Sequence, residues 1–243
     1  MNQATGIRGQ PAVGITLKPW GIPAVLAGLA LPVLLWASSL AISIVQGTPE
    51  DLTTAEVAAN LIATIIVFDG ALVAAPLIVA FGRYHLSWRA LGFRSLDGGS
   101  WWTPVAAAAG CYISVLVYLS ILYGLGIETK QDVENLFDAR ALLPLTGLAT
   151  LIVAPLAEEL FFRGFVFAGL IRPLGLYPAM LLSGLLFGAF HVSGAESAWL
   201  VPAFTAIGAL FAWVYWRTGS LWYSIATHFL FNSVSFAILA ANA

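Results

Sequence analysis

Reading from the amino end, apolar residues fill one long stretch after another, with short polar connections between them. A helix rises about 1.5 Å per residue, so roughly 20 apolar residues cross the ~30 Å of hydrocarbon in a bilayer. On that measure the pattern predicts seven spans, near 20–45, 57–81, 102–126, 143–171, 177–195, 198–216 and 220–241. The expected fold class is all-α, a polytopic transmembrane helix bundle. Lys18 and the small residues Ala37, Ser38 and Ser39 give the first run some features of a signal peptide. Its apolar stretch is longer than a typical signal core, so it reads as an uncleaved span. Residues 1–17 read as a flexible cytoplasmic tail and residues 18–243 as one membrane-embedded domain, whose chemistry sits at about 143–241. The segment 127–142 reads as a short helix lying at the outer surface, with Leu136 and Phe137 toward lipid.

Composition closes off other classes. Hydrophobic residues make up 60% of the chain and charged residues 9%, against about 25% charged in soluble domains, which excludes a soluble fold. The net charge of −2 and the lack of any Lys and Arg cluster argue against nucleic acid as a partner and leave membrane lipid as the surrounding one. Cys111 is the single cysteine, so there is no disulfide framework and no thiolate metal cluster. A metal would need His and carboxylate ligands.

Arg and Lys resist translocation, so their loops stay in the cytoplasm. Arg8 and Lys18, then Arg83, Arg89 and Arg94, then Arg163 and Arg172, and finally Arg217 fall on alternate connections. The opposite connections carry Glu50, Asp51 and Glu56, then Glu128, Asp132, Glu134 and Asp138 against only Lys130 and Arg140, then Glu196. The expected topology has the amino terminus in the cytoplasm and the carboxyl terminus outside.

Within the last hundred residues Glu158, Glu159, Arg163, His191, His228 and Asn232 stand in or beside apolar helices. A charged side chain at mid-membrane costs about 2.5–3.5 kcal/mol on insertion scales. Such residues either knit helices together or carry function. Pro173 and Gly175 break the chain between spans four and five, and Glu158 and His191 lie equally far on either side of that turn. An antiparallel hairpin therefore brings carboxylate and imidazole to one level. Asn232 is i+4 from His228 and shares its helical face. Arg163 is i+4 from Glu159, which predicts a buried orienting pair and leaves Glu158, about 100° around the helix, to face the other groups. For His228 to reach Glu158, the hairpin of spans four and five must protrude into the cytoplasm, with the site in the cytoplasmic half of the bilayer.

A carboxylate and a His on one water, beside a second His and an Asn amide, form a hydrolytic constellation. The first two can act as general base and the others can hold an oxyanion. No GxSxG or HExxH motif occurs. Three motifs stand in order: Glu158-Glu159-Leu160-Phe161-Phe162-Arg163, Phe187-Gly188-Ala189-Phe190-His191, and His228-Phe229-Leu230-Phe231-Asn232. Over about residues 145–236 the chain resembles the CPBP family of CAAX-prenyl-endopeptidase-like and bacteriocin-processing intramembrane proteases. Leu91-Gly92-Phe93-Arg94 looks like a further family element.

The resemblance implies endoproteolysis of a membrane-associated peptide or protein near the cytoplasmic face, in a bacterial plasma membrane. It implies that Glu158 and His191 activate water while His228 and Asn232 hold the oxyanion. Two readings stay open for the cofactor: Glu158, His191 and His228 as three Zn2+ ligands with an open fourth position, or glutamate-activated water with no metal. Two rival functions also stand. One is an inactive membrane scaffold or bacteriocin-immunity protein, and the other a small transporter using Glu158, His191 and Asp69 as a proton relay.

Overall fold

In the computed structural model, which describes residues 17–46, 53–127 and 140–242, every regular element is helical. Seven helices follow one another: α1 (Ile22–Gln46), α2 (Thr54–Arg83), α3 (Trp102–Gly124), α4 (Leu143–Leu174), α5 (Leu176–Phe190), α6 (Val201–Thr218) and α7 (Leu221–Asn242). The all-α expectation holds. Among the described residues five stretches can cross a membrane by length and composition: Ile22–Val45, Thr54–Arg83, Trp102–Gly124, Leu143–Leu174 and Ser197–Thr218. The seven predicted spans thus match seven helices, of which α5 and α7 are not among the five. The predicted tail, apart from Leu17, and the core of the predicted surface helix at 127–142 lie outside the described residues.

The fifth predicted span is too long. Its helix stops at Phe190, with His191 at its C-terminal cap, and the backbone N–H groups of Ser193 and Gly194 bond to the Ser197 hydroxyl. That side-chain acceptor offers the backbone an alternative to helix, as Ser commonly does. Residues 191–195 therefore form a turn rather than an apolar extension.

Helix α4 is the axis of the fold. Every residue from Glu159 to Leu170 is buried, and Phe161, Phe165, Val166 and Phe167 are wholly excluded from the surface. A helix apolar on all sides is one surrounded by others, and α2, α5, α6, α7 and α1 all pack around it. Helix α4 is not wound uniformly, since Ala149–Val153 and Leu160–Phe167 are π-helical. So are Thr64–Asp69 and Ile78–Arg83 in α2. Such wide turns occur often at functional sites. The expected break between α4 and α5 falls at Gly175, whose φ of 84° lies in the left-handed region that glycine tolerates.

Small residues let α5 and α6 touch backbone to backbone, the usual device where apolar burial cannot distinguish helix from lipid. A Cβ on Gly184 would lie 2.6 Å from the Thr205 carbonyl oxygen, and one on Gly208 would lie 2.8 Å from the Gly184 Cα. Gly184→Ala must therefore push α6 away. Overpacking of this kind costs about 1–3 kcal/mol, so the thermal midpoint in detergent is expected to fall by several degrees. Gly110→Ala, where a Cβ meets nothing within 4 Å, is the matched control. Equal midpoints for the two variants would show the α5–α6 contact to be looser than described.

Candidate active site

One buried ion pair organises the site. Arg163 Nη1 donates to Glu159 Oε1 at 2.9 Å with both side chains fully buried, as the i+4 spacing predicted. Arg163 Nη2 donates to the Gly208 carbonyl at 3.0 Å. The guanidinium also lies over Phe187 at 4.5 Å and Phe211 at 5.0 Å from the ring centroids. These contacts replace the hydration that burial removes, and such a pair persists only with geometry of this quality.

Glu159 is then engaged from two more sides. Ser224 Oγ donates to its Oε2 at 2.6 Å, and His228 Nδ1 lies 3.0 Å from its Oε1. A carboxylate beside a guanidinium only accepts, so the Nδ1 of His228 carries the proton and its Nε2 is left free. That Nε2 is 4.0 Å from Glu158 Oε2. Sequence reasoning missed Ser224, although it lies i−4 from His228 on the same face of α7. A hydroxyl in an apolar helix was too common a feature to single out.

Glu158 is used quite differently from its neighbour. Its Oε2 is buried and has no hydrogen-bond partner, and the residue lines a cavity of about 620 Å³. His191, His228, Asn232 and Asp69 line the same cavity, so the structure gathers every predicted site residue that was expected to face substrate. His191 Nδ1 is 2.7 Å from the Phe187 carbonyl, which can only accept. Its proton therefore also sits on Nδ1, and Nε2 is left as an acceptor. The ring stacks on Phe204, with centroids 4.3 Å apart. Asn232 donates one N–H to the Thr150 carbonyl at 2.9 Å, within the π-helical part of α4. Its amide has a second N–H.

Asp69 is buried, 7% exposed, at the end of a π-helical stretch of α2. An interior position is what the cost of an ionisable side chain facing lipid requires. The Leu91–Arg94 element lies away from the cavity and works as a clamp. Leu91 is fully buried, its carbonyl oxygen would be 2.6 Å from a Cβ on Gly164, and the Gly92 carbonyl accepts from Leu221 N–H at 2.8 Å.

A three-ligand metal site is not assembled as the side chains stand. Carboxylate and carbonyl partners on the two Nδ1 atoms are what orient imidazole ligands in metal proteins. Even so, among the described residues no three His, Cys, Asp or Glu side chains are grouped closely enough to hold an ion. His191 stands at the C-terminal cap of α5 and His228 within α7, and as the side chains stand neither is grouped with Glu158 as one of three ligands.

Comparison with known proteins agrees with the motifs. Residues 140–234 match the family model described as "Type II CAAX prenyl endopeptidase Rce1-like". "Putative membrane peptidase YdiL" of Bacillus subtilis (strain 168) is 31% identical over 112 residues, which cover 46% of this chain and 44% of that one. "CAAX prenyl protease 2" of Homo sapiens is 32% identical over 160 residues, 56% of this chain and 49% of the human one. The chain spans about half the length of these curated relatives. No solved structure matches it. The chain is an integral membrane protein whose residues 140–234 match the model of the Rce1-like CAAX prenyl endopeptidase family.

Proposed function

We propose that the protein is an intramembrane endopeptidase that hydrolyses a peptide bond of a membrane-associated substrate with water activated by Glu158 and His191. The observation that carries this reading is the contrast between two adjacent buried glutamates. Glu159 is engaged by Arg163, Ser224 and His228, whereas Glu158 presents an unpartnered carboxylate oxygen at the cavity.

In this mechanism the water donates one hydrogen bond to Glu158 and one to the free Nε2 of His191, which aims its lone pair at the substrate carbonyl. As the oxygen attacks, Glu158 takes the proton and the carbonyl becomes an oxyanion. The second N–H of Asn232 donates to that oxyanion, and so does the Nε2 of His228 once that nitrogen has taken up a proton from solvent. The Glu159 carboxylate stabilises the imidazolium through Nδ1, much as a buried acid supports a catalytic His elsewhere. Glu158 then delivers its proton to the departing nitrogen, the C–N bond breaks, and a carboxylic acid and an amine leave, the acid then losing its proton to solvent. Arg163 and Ser224 act by fixing Glu159, so they are positioning residues. No step passes through a metal.

The distribution of Arg and Lys supports an amino terminus in the cytoplasm and a site in the cytoplasmic half of the bilayer, and the likeness to a Bacillus subtilis membrane peptidase supports residence in a bacterial plasma membrane. The purified protein in liposomes is expected to cleave membrane-spanning peptides, to release the fragments on the side bearing Arg89 and Arg172, and to keep its rate after dialysis against a chelator. A rate lost on chelation and restored by Zn2+ would overturn the metal-free mechanism. Failure to cleave any peptide from a varied membrane-peptide library would overturn the peptidase reading.

A further inference from the structure

The mechanism above leaves one ionisable group of the cavity without a task. Asp69 is more than nine-tenths buried and makes no hydrogen bond or ion pair among the described residues. It sits halfway along the 30-residue helix α2, on an element outside the segment that carries the three motifs. A lone carboxylate in such surroundings is costly unless something neutralises it. Glu158 cannot do so, being itself acidic and itself short of a partner. Nor does Arg163, which is not among the residues lining the cavity and whose Nη1 and Nη2 are committed to Glu159 and Gly208.

The rest of the cavity wall sharpens the point. Among the described residues that line it there is neither a Lys nor an Arg, while Asp69 and Glu158 are both acidic and the remainder is mainly Phe, Leu, Ile and Ala. A space that is apolar over most of its surface, with two acidic side chains, two imidazoles and no Lys or Arg among the described residues that line it, complements an apolar segment bearing a single positive charge. The missing counter-ion would then arrive with the ligand, and the ion pair would form in a low dielectric where it discriminates most strongly.

Resting on the peptidase reading of the same cavity, we propose that Asp69 is a specificity-determining residue that pairs with a Lys or Arg side chain of the substrate, so that the substrate is an apolar membrane segment with one basic residue near the scissile bond. Asp69 touches substrate in this scheme but takes no part in the proton transfers.

The test uses one apolar membrane-spanning peptide in which Lys, norleucine or Glu is moved through successive positions, with the full-length protein in lipid nanodiscs. Norleucine keeps the length of the Lys stem and removes its charge. In at least one register the wild type is expected to favour Lys over norleucine by about tenfold or more in kcat/KM, the low end of measured coupling between close charge pairs. Asp69→Asn is expected to bring that ratio down to about one, and Asp69→Lys to favour the Glu peptide instead. A Lys preference that survives Asp69→Asn, or Lys and norleucine peptides cleaved equally by the wild type in every register, would overturn the proposal. So would Asp69→Asn slowing all peptides alike, which would make Asp69 part of the proton-transfer machinery.

Binding supplies a readout that does not depend on cleavage. Fluorescent Lys and norleucine peptides are titrated onto Glu158→Gln and onto Glu158→Gln/Asp69→Asn. A tenfold difference in Kd in the first protein that vanishes in the second supports the pairing even if the wild type cleaves nothing, and equal Kd values in both overturn it whatever the cleavage assay shows.

Discussion

A chain carrying Glu158→Gln is expected to insert and accumulate like the wild type and to lose about 10²- to 10⁴-fold in kcat/KM, the range contributed by a positioned general base. The amide keeps the size and hydrogen-bonding capacity of the carboxylate and deletes only its ability to take a proton. Because the Glu158 Oε2 holds no hydrogen-bond partner and approaches the His228 Nε2 only to 4.0 Å, the substitution breaks no hydrogen bond at that oxygen. His191→Ala is expected to cost a similar factor, since it removes the second acceptor on the same water. Groups that act as one unit lose activity non-additively, so the double variant should be little worse than either single one. Progress curves with purified protein at matched concentration measure all three. A Glu158→Gln protein that cleaves at the wild-type rate would end the proposed mechanism, and losses that simply multiply would separate His191 from it.

The largest effect on stability is expected from Arg163. Replacing it with Met leaves the Glu159 charge fully buried with only neutral donors. Removing one partner of a buried pair costs about 3–5 kcal/mol, whereas removing both can be nearly neutral. Arg163→Met should therefore accumulate poorly or unfold far below the wild type, and Glu159→Gln/Arg163→Met should recover most of that loss. Unfolding in detergent followed by circular dichroism reads the difference. Wild-type stability in the single variant would mean that Glu159 is not charged in the folded protein, and the His228 imidazolium would then lose its counter-charge. The double variant tests function separately: a stable but inactive protein is the expected outcome, because His228 would no longer be held by a carboxylate.

Much of this site was legible in the sequence because its logic is local. An i+4 spacing fixed the Glu159–Arg163 pair, and the 100° step of a helix turned Glu158 away from it. Pro173 and Gly175 located the hairpin that sets Glu158 and His191 at the same cavity. What could not be read depends on contacts between distant segments. Nothing in the neighbourhood of Ser224 says that a carboxylate from α4 will meet it, and the proton positions on both His rings follow from partners 69 residues away for His228 and only four for His191. Asp69 was noticed as an anomaly, yet its place in the cavity follows from how α2 packs on α4. The π-helical stretches left no trace either, since a single widened turn does not alter an apolar pattern that is already continuous. The early end of α5 was hidden by the apolar residues that precede it, although Ser193, Gly194 and Ser197 were there to be read as a turn.

The clamp formed by the connection between α2 and α3 bears on how this protein can be taken apart. Helix α4 is notched at Gly164 to admit the Leu91 carbonyl, the Gly92 carbonyl caps the start of α7, and the Tyr223 hydroxyl donates to the carbonyls of Leu96 and Gly99. The recognisable segment therefore has hydrogen bonds completed by Gly92, Leu96 and Gly99, which precede its first residue by more than forty positions. Cut free at residue 140, it would retain its motifs and lose the partners that hold two of its helices in register. In chimeras between relatives the natural unit of exchange is consequently discontinuous, and a swapped carboxyl-terminal half should fold only when the short stretch 91–99 travels with it.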